Sequence, residues 1–338
     1  MAKTTFGVCC MKKKMNSDSM AELLKRLETT GKFNIVRFEE RMILNEPVEK
    51  WPVVTCLLAF ASSGFPLEKA IEYQRLHNPL VVNALEEQKL LTDRVHMYAT
   101  LKQAGIPCPS HMVIDHTTAQ PGDLQQDDDR IIFRGRTLSR PFVEKPQDGD
   151  DHDVWIYHST KEGGGCTKLH RKKNDQSSVR DFEQKRIREK GIFIYEPFLD
   201  TRGLDIKVYA VGPNYAHAEG RKAPSVDGQV ERQANGREKR YNIELTEQEK
   251  QLASMVVKGF KQNVCGFDIL RTADAGSVVC DVNGFSFVKG NQRYFDDAAA
   301  ILTELLTKAN DTNGHPPVKA HQQSWLKGLG NLCSCFCQ

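Results

Sequence analysis

The chain has 338 residues, with 47 Lys and Arg against 44 Asp and Glu, 39% hydrophobic residues and 27% charged residues. At this length two domains are expected, and a net charge of +3 excludes generic nucleic-acid binding, which usually requires a strong basic excess. The longest apolar run, 53–61, is much shorter than the roughly 20 residues of a membrane-spanning helix.

The first part of the chain alternates between strand-like and helical patterns. Strands are predicted at 4–10, 34–38, 53–61 and 79–83, and helices at 18–30 and 67–76. This alternation is typical of a parallel sheet with crossover helices, so residues 1–90 are predicted to form an α/β domain. A long helix is predicted over 86–104, and a second domain over 91–309.

The second domain is predicted to be rich in antiparallel strands. The acidic segment 115–140 is expected to be an exposed loop or a weak hairpin. Strands are then predicted at 140–145, 154–158, 166–171, 192–197, 205–211, 215–219, 266–272 and 277–283, with a helix at 246–262. Residues 310–338 are predicted to be a flexible polar tail.

Three consecutive glycines, Gly163, Gly164 and Gly165, lie between two predicted strands and are flanked by Lys and Arg. Glycine lets backbone N–H groups approach phosphate oxygens without interference from a Cβ atom. A flexible hairpin turn explains the same residues equally well, so both interpretations stay open. The usual P-loop, protein-kinase and dinucleotide motifs are not found in the sequence.

The last predicted hairpin carries a candidate metal site. If 273–276 forms its loop, Thr272 opposes Ser277, Asp268 opposes Asp281, and Asn283 lies on the same face. Opposed carboxylates destabilise a sheet unless a cation lies between them, and two carboxylates with an amide oxygen suit Mg²⁺. The alternative is a solvated outer face with one strand shifted by a residue.

Three lysines lie in or beside apolar strands, where an unpaired ammonium group is costly. They are Lys145 in PFVEK, Lys207 in DIKVYAV and Lys289 in FSFVK. Each is therefore expected to have an anionic partner.

Several segments carry a resemblance that runs in order from Phe6 to Leu306. They are FEERMILNEPVEKWP, RPFVEKP, DDHDVWIY, GGGCTKLHRK, DIKVYAVGPNYAHAEGRKAP, VCGFDILR and CDVNGFSFVKG. They resemble the kinase domain of the diphosphoinositol pentakisphosphate kinases. The resemblance implies an ATP-grasp fold of α/β and α+β class, in which an N-terminal α/β domain precedes two lobes that clamp ATP between antiparallel sheets.

The implied reaction uses ATP and Mg²⁺ to phosphorylate a phosphate group, at position 1, of inositol hexakisphosphate or 5-diphosphoinositol pentakisphosphate. Many family members also have a histidine-acid-phosphatase-like domain, for which this sequence has no room, so a stand-alone kinase is expected. Competing interpretations are a carboxylate–amine ligase, an inositol phosphate kinase acting on hydroxyl groups, and a catalytically weak sensor of inositol pyrophosphates.

The resemblance also implies the site residues. ATP phosphates would be contacted by Arg94, Lys145 and Lys207, the adenine by a hinge with Glu196, Phe198 and Leu199, and the ribose by Asp205. The metal ligands would be Asp268, Asp281 and Asn283, as the hairpin argument also predicts. The residues acting on the transferred group would be Lys145, His152, Lys207 and Arg232. The inositol polyphosphate would be bound by Lys13, Lys14, Arg171, Lys172, Arg221, Lys222, Arg232, Ser286 and Lys289.

The predicted partner is a small molecule, with no nucleic acid and no obligate protein partner. The N-terminus has no signal-peptide pattern, so a cytosolic protein is expected. The sequence ends in Cys335-Phe336-Cys337-Gln338, which has the form of a prenylation motif that would tether the protein to a membrane. An unmodified polar tail is the alternative.

Overall fold

The computed structural model describes residues 3–273 and 276–313. The strands of the first domain and of the central lobe are β1 (Thr4–Cys10), β2 (Phe33–Arg37), β3 (Cys56–Phe60), β4 (Leu80–Val81), β5 (Met112–Asp115), β6 (Leu124–Gln126), β7 (Arg130–Phe133), β8 (Arg136–Ser139), β9 (Phe142–Pro146), β10 (Trp155–Tyr157), β11 (Cys166–Lys173), β12 (Gln176–Asp181) and β13 (Ile192–Pro197). The strands of the C-terminal lobe are β14 (Leu204–Val211), β15 (Ala216–Lys222), β16 (Tyr241–Ile243), β17 (Val264–Thr272) and β18 (Gly276–Gly284). The helices are α1 (Lys12–Met15), α2 (Asp18–Thr29), α3 (Glu40–Asn45), α4 (Leu67–His77), α5 (Leu85–Leu90), α6 (Arg94–Gln103), α7 (Glu247–Gly259) and α8 (Gln292–Asn313).

The N-terminal domain contains the parallel sheet that the sequence predicts. Its order is β2-β1-β3-β4, and all pairs are parallel. The strand β3 is buried at every residue, as expected for a strand covered on both faces. The helix α2 buries Met20, Leu23, Leu24 and Leu27 at helical spacing, and the Ser17 side chain caps its N-terminus.

The single helix predicted over 86–104 is wrong, because the chain forms α5 and α6 with a break at 91–93. Asp93 is the N-cap of α6 and accepts hydrogen bonds from the backbone N–H groups of Val95 and His96. The Asp93 carboxylate thus fixes the start of α6, directly after the break at 91–93. The break places Arg94 at the entrance to the central lobe.

The central lobe is a six-stranded antiparallel sheet of order β12-β11-β10-β9-β13-β5. The segment 115–140, predicted as a loop or weak hairpin, instead forms a separate three-stranded sheet, β6-β7-β8. Ile131 and Phe133 of this small sheet are buried in the core of the lobe. Ala119, Leu124 and Leu138 also pack against this core, so a few apolar side chains anchor a segment that is otherwise acidic and polar.

The C-terminal lobe is a five-stranded antiparallel sheet of order β16-β15-β14-β17-β18. The helix α7 covers one face and begins with a reciprocal capping box between Thr246 and Glu249. The helix α8, which the sequence pattern did not predict, packs against α2 and joins this lobe to the N-terminal domain in one core.

The α8 helix extends to Asn313 and so includes the first residues of the predicted tail. The predicted prenylation site at Cys335 lies outside the described residues. No helix among residues 3–273 and 276–313 combines the length and the apolar character needed to span a membrane.

Candidate active site

Lys145 projects from β9 on the face of the central sheet that meets the C-terminal lobe. Its Nζ atom lies 2.5 Å from Oε1 of Glu196 and donates hydrogen bonds to the Tyr98 hydroxyl and to the Cys280 carbonyl. Burial lowers the pKa of Lys145, but Glu196, with smaller contributions from Cys280 and Asp281, outweighs burial, and the net effect is a raised pKa. Lys145 therefore has the anionic partner that the sequence predicts.

The C-terminal lobe brings Lys207, Asp268, Asp281 and Asn283 together on one sheet face. Lys207 on β14 is the cross-strand neighbour of Asp268 on β17, and Asp268 is the neighbour of Asp281 on β18. The Lys207 ammonium lies 3.5 Å from Oδ1 of Asp268 and donates a hydrogen bond to Oδ1 of Asn283. The Asn283 amide in turn donates to the Asp281 carboxylate.

The register predicted for this hairpin is wrong near its turn and correct at the site. Thr272 pairs with Gly276, and Ile269 pairs with Val279, one residue away from the predicted register. A β-bulge at Cys280 then shifts the pairing by one residue, so that Asp268 does oppose Asp281. The carbonyl of the bulged Cys280 accepts hydrogen bonds from Lys145 and Tyr98.

The donor set fits Mg²⁺. Two opposed carboxylates lie beside an amide oxygen, and a neighbouring ammonium group now offsets their charge. In the described parts of the chain, no group of three or more His, Cys, Asp or Glu side chains could hold a metal ion. The ion would therefore bind through Asp268, Asp281, Asn283 and oxygens of phosphate or water, as Mg²⁺ commonly does.

Arg94 lies in the interior and its guanidinium group holds a loop of the central lobe. Its NH1 and NH2 groups donate to four backbone carbonyls of that loop, those of Pro146, Asp148, Gly149 and Asp151. The loop leads directly to His152. In this structure Arg94 holds the loop beside the site in position. Its contacts with ATP phosphates stay a prediction.

The predicted hinge lies at the end of β13. Glu196 is buried with its carboxylate between Lys145 and Tyr98, whereas Phe198 and Leu199 are half-buried. Asp205, at the start of β14, lies 3.6 Å from the Arg221 guanidinium. Burial raises the pKa of Asp205, the nearby Asp268 adds to the shift, and Arg221 opposes it.

Two cavities are lined by most of the predicted substrate residues. The first, of about 360 Å³, lies between the lobes and is lined by His152, Arg171, Lys172, Arg221 and Lys222, among others. Partial burial and the cations Arg171 and Arg94 lower the pKa of His152, so its imidazole is neutral at pH 7.

The second cavity, of about 550 Å³, opens between the N-terminal domain and the two lobes. Its walls include Lys13, Lys14, Arg171, Asp281 and Asn283, so Arg171 borders both cavities. Burial lowers the pKa of Lys14, and the neighbouring ammonium groups of Lys13 and Lys289 lower it further. Ser286 packs beside the Lys207 stem at Gly266, where an added Cβ would come within 2.4 Å of the Ser286 Cβ.

Arg232 does not line either cavity. Its guanidinium group pairs with Asp175 and donates to the Gly236 carbonyl at 2.8 Å. The sequence interpretation missed several charged residues at the first cavity. Glu231, Glu238 and Lys239 line this cavity, and Arg240 contacts Glu238. The sequence 237–241, REKRY, is densely charged and could have indicated these residues. It was not assigned to the cleft, because the strand β16 that it leads into was not predicted.

The glycine triplet is a tight turn in this structure. Gly163, Gly164 and Gly165 all have positive φ, and a Cβ at Gly165 would lie 2.4 Å from the Asp181 carbonyl oxygen. The N–H groups of Gly163 and Gly164 donate to Thr160 and Ser159 within the turn. These two donors are therefore already used, which favours the hairpin-turn interpretation over a phosphate loop.

Comparison with family models gives two matches. A model described as the diphosphoinositol pentakisphosphate kinase 2 N-terminal domain matches residues 4–93. A model described as a RimK-like ATP-grasp domain matches residues 169–305. The two matches together include the N-terminal domain and the C-terminal lobe.

Curated relatives match most of the chain. It is 46% identical over 313 residues to the human inositol hexakisphosphate and diphosphoinositol-pentakisphosphate kinase 2, covering 92% of this chain and 25% of the relative. It is 41% identical over 353 residues to the Saccharomyces cerevisiae inositol hexakisphosphate and diphosphoinositol-pentakisphosphate kinase, covering 96% of this chain and 31% of the relative. The chain thus spans a quarter to a third of these relatives.

A solved structure confirms the fold that the resemblance implies. A RimK domain ATP-grasp protein from Sphaerobacter thermophilus superimposes with a TM-score of 0.55 at 13% identity, covering 90% of this chain and 99% of that one. At such low identity the likeness concerns the fold alone. The fold is ATP-grasp, with the candidate site between its two lobes.

Proposed function

The chain belongs to the inositol hexakisphosphate and diphosphoinositol-pentakisphosphate kinase family, and from this premise we propose that it transfers a phosphoryl group from ATP to a phosphate of an inositol polyphosphate. The proposed acceptor is inositol hexakisphosphate or 5-diphosphoinositol pentakisphosphate, phosphorylated at position 1. ATP and Mg²⁺ are the proposed cofactors.

The observation that carries the proposal is a cation-lined cleft next to a pair of carboxylates. Arg171 borders both cavities, and Asp281 and Asn283 line the second one. An inositol polyphosphate is a compact, highly charged anion, so it requires Arg and Lys on several sides. The carboxylate pair supplies an adjacent position for a divalent cation.

No general base is needed for this reaction. A phosphate group has a second pKa of about 6, so the acceptor already carries an oxyanion at pH 7. The neutral His152 at the first cavity is therefore expected to orient the acceptor through a hydrogen bond. A bound Mg²⁺ would neutralise charge on the ATP phosphates.

The main task of the protein residues is to reduce repulsion between two polyanions and to hold them in line. Lys207 now pairs with Asp268 and Asn283. Asp268, Asp281 and Asn283 would hold a divalent cation, which would supply charge neutralisation there and would leave the Lys207 ammonium available to a phosphate oxygen. Lys145 stays fixed by Glu196 and the Cys280 carbonyl at the same lobe interface.

The test measures magnesium-dependent consumption of ATP by the purified protein with each acceptor, and NMR of the product identifies the phosphorylated position. Asp281→Asn retains the shape of the side chain and removes one negative charge. We expect it to lower kcat by roughly a hundredfold or more, as loss of a group that stabilises transition-state charge does. Glu247→Gln, an exposed change at the start of α7, is the matched control.

Other outcomes would separate the alternatives. Turnover that is unchanged in Asp281→Asn would refute the metal assignment. Tight binding of inositol hexakisphosphate without turnover would indicate a sensor. Phosphorylation of a hydroxyl group instead of a phosphate would indicate the other class of inositol phosphate kinase.

A further inference from the structure

The carboxylate of Glu238 lies among cations that the cleft needs for its substrate. It pairs with Lys172, which belongs to β11 of the central lobe, and its Oε2 atom lies 3.3 Å from the NH2 group of Arg240, which precedes β16 of the C-terminal lobe. The Glu238 side chain is 17% exposed and lines the first cavity. One carboxylate therefore links cations from both lobes at the wall of the cavity.

Three cations, Lys172, Arg221 and Arg240, lie near the Glu238 carboxylate. Burial tends to raise the pKa of Glu238, but Lys172, Arg221 and Arg240 together hold it below its usual value. Burial lowers the pKa of Lys172 and so do Arg221 and Arg240, even though Glu238 opposes the shift. Glu219 also pairs with Arg240 at 2.9 Å, and Asp205 lies 3.6 Å from Arg221. Glu238 is the carboxylate that pairs with Lys172 at the wall of the cavity.

The segment that carries Glu238 is anchored across the lobes. The backbone N–H of Ser177 on β12 donates to the Gly228 carbonyl at 2.8 Å, and the N–H of Val230 donates to the Asp175 carbonyl at 2.8 Å. The Ser178 hydroxyl donates to the Pro224 carbonyl at 2.7 Å. These bonds hold residues 224–230 against the central lobe, and the Lys239 N–H donates to the Glu231 carbonyl at 2.8 Å, which ties the backbone beside Glu238 to this segment.

We propose that Glu238 is a specificity-determining residue whose carboxylate competes with a substrate phosphate for Lys172 and Arg240. It holds Lys172 and Arg240 in place until a phosphate group displaces it. The identity of the acceptor rests on the proposed function above. Because displacement breaks existing ion pairs, an acceptor must bring dense negative charge to this position, and a weakly charged ligand binds poorly.

The test compares the wild-type protein with Glu238→Gln, using inositol hexakisphosphate as the probe in calorimetry. Removal of the internal competitor should lower the dissociation constant by about tenfold, or about 1.4 kcal/mol. In the kinase assay, KM should fall while kcat changes less than threefold. The control is Glu86→Gln, which removes a carboxylate shared by Arg75 and Lys89 that lines neither cavity.

Thermal unfolding supplies a readout that a purely structural role would not produce. Without ligand, Glu238→Gln should melt below the wild type, because it has lost its ion pairs. With saturating inositol hexakisphosphate the order should reverse or the difference vanish, because the ligand replaces those pairs more favourably in the variant. Glu238→Asp, whose shorter side chain cannot reach both cations, should have a dissociation constant between the other two.

Weaker or unchanged binding in Glu238→Gln, with the wild-type melting order retained in ligand, would overturn the inference. Binding without turnover by the wild type would refute the proposed kinase function, while the inference would still be judged on the dissociation constants. Binding by the variant alone would support the inference. Failure of both proteins to bind inositol hexakisphosphate would overturn the inference together with the proposed acceptor.

Discussion

Two glutamates, Glu144 in the central lobe and Glu238 at the cleft, are each held by cations and have very different surroundings. Glu144 projects from β9 on the face opposite Lys145 and is fully buried. Its carboxylate lies 2.5 Å from the Arg188 Nε group and also accepts hydrogen bonds from the Tyr195 hydroxyl, at 2.7 Å, and from the Arg188 backbone N–H. The Tyr157 hydroxyl is a fourth donor, at 3.4 Å, so each carboxylate oxygen has two donors within one lobe.

Glu238 is instead shared between lobes and borders a cavity. Its partner Lys172 has a pKa that burial and the nearby Arg221 and Arg240 lower, whereas Glu144 also accepts hydrogen bonds from the buried Tyr157 and Tyr195 hydroxyls. The pKa of Glu144 is raised by burial, which outweighs Arg188, whereas the pKa of Glu238 is lowered by its cations despite burial. A pair buried inside one lobe stabilises the fold, and a pair at a cavity wall is accessible to a ligand.

The largest expected effect is on stability, from Glu144→Ala. The substitution leaves the Arg188 guanidinium without its buried partner and should lower the free energy of unfolding by about 3–5 kcal/mol. Chemical denaturation measures this loss, and turnover per folded molecule should stay near the wild-type value. A variant as stable as the wild type, or one that lost activity while fully folded, would contradict a purely structural role for Glu144.

The sequence predicted most of the fold because its periodicities were long. The parallel α/β unit, the antiparallel strands of both lobes and α7 follow from strand alternation and helical spacing. The break at 91–93 was missed because apolar periodicity continued through it, although Asp93 is a capping residue. The short strands β12 and β16 were missed, because they have few buried apolar side chains and therefore show no alternation of apolar and polar residues.

The candidate site was predictable where a charged side chain lies within an apolar strand, because burial requires a partner of opposite charge. Lys145 and Lys207 were found this way, and both have the partners that the argument requires. The Asp268–Asp281 pair was predicted from a simple hairpin register, although it depends on a bulge at Cys280 that the sequence does not indicate. Glu238 could not be found, because its partner Lys172 lies on β11, 66 residues away in sequence.

Loss of the cation partner of Glu238 should act mainly on catalysis. Lys172→Met removes one clamp from the first cavity and should lower kcat/KM for the inositol polyphosphate roughly tenfold to a hundredfold, as expected for a lost charge-assisted hydrogen bond. Stability should change little, since both side chains are partly exposed. Steady-state kinetics and denaturation of the same sample separate the two effects.

Lys173→Met is the matched control for this prediction. Lys173 is the next residue of β11 and is exposed, and it does not line the first cavity. Its substitution should leave kcat/KM within twofold of wild type. If Lys172→Met instead destabilised the protein as strongly as Glu144→Ala, with normal activity per folded molecule, the two clusters would not differ in kind.

The smallest expected effect is a difference in pH response between the two glutamates. For Glu238, whose folded-state pKa is lowered, the stabilisation is present above the unfolded pKa of about 4.3 and is lost as pH falls through the lowered value. For Glu144, whose folded-state pKa is raised, the folded protein binds a proton before the unfolded chain does. Its contribution to stability therefore increases as pH falls from the raised pKa towards about 4.3.

The unfolding free energies of wild type, Glu144→Gln and Glu238→Gln, measured from pH 7 to pH 3.5, should show this opposition. The destabilisation caused by Glu144→Gln should grow as pH falls towards about 4.3, because the wild-type side chain gains stability there. The destabilisation caused by Glu238→Gln should shrink only below that pH. Curves that run in parallel would mean that the two carboxylates have equivalent surroundings, because a closed cluster and a cation-rich one must shift the proton equilibrium in opposite directions.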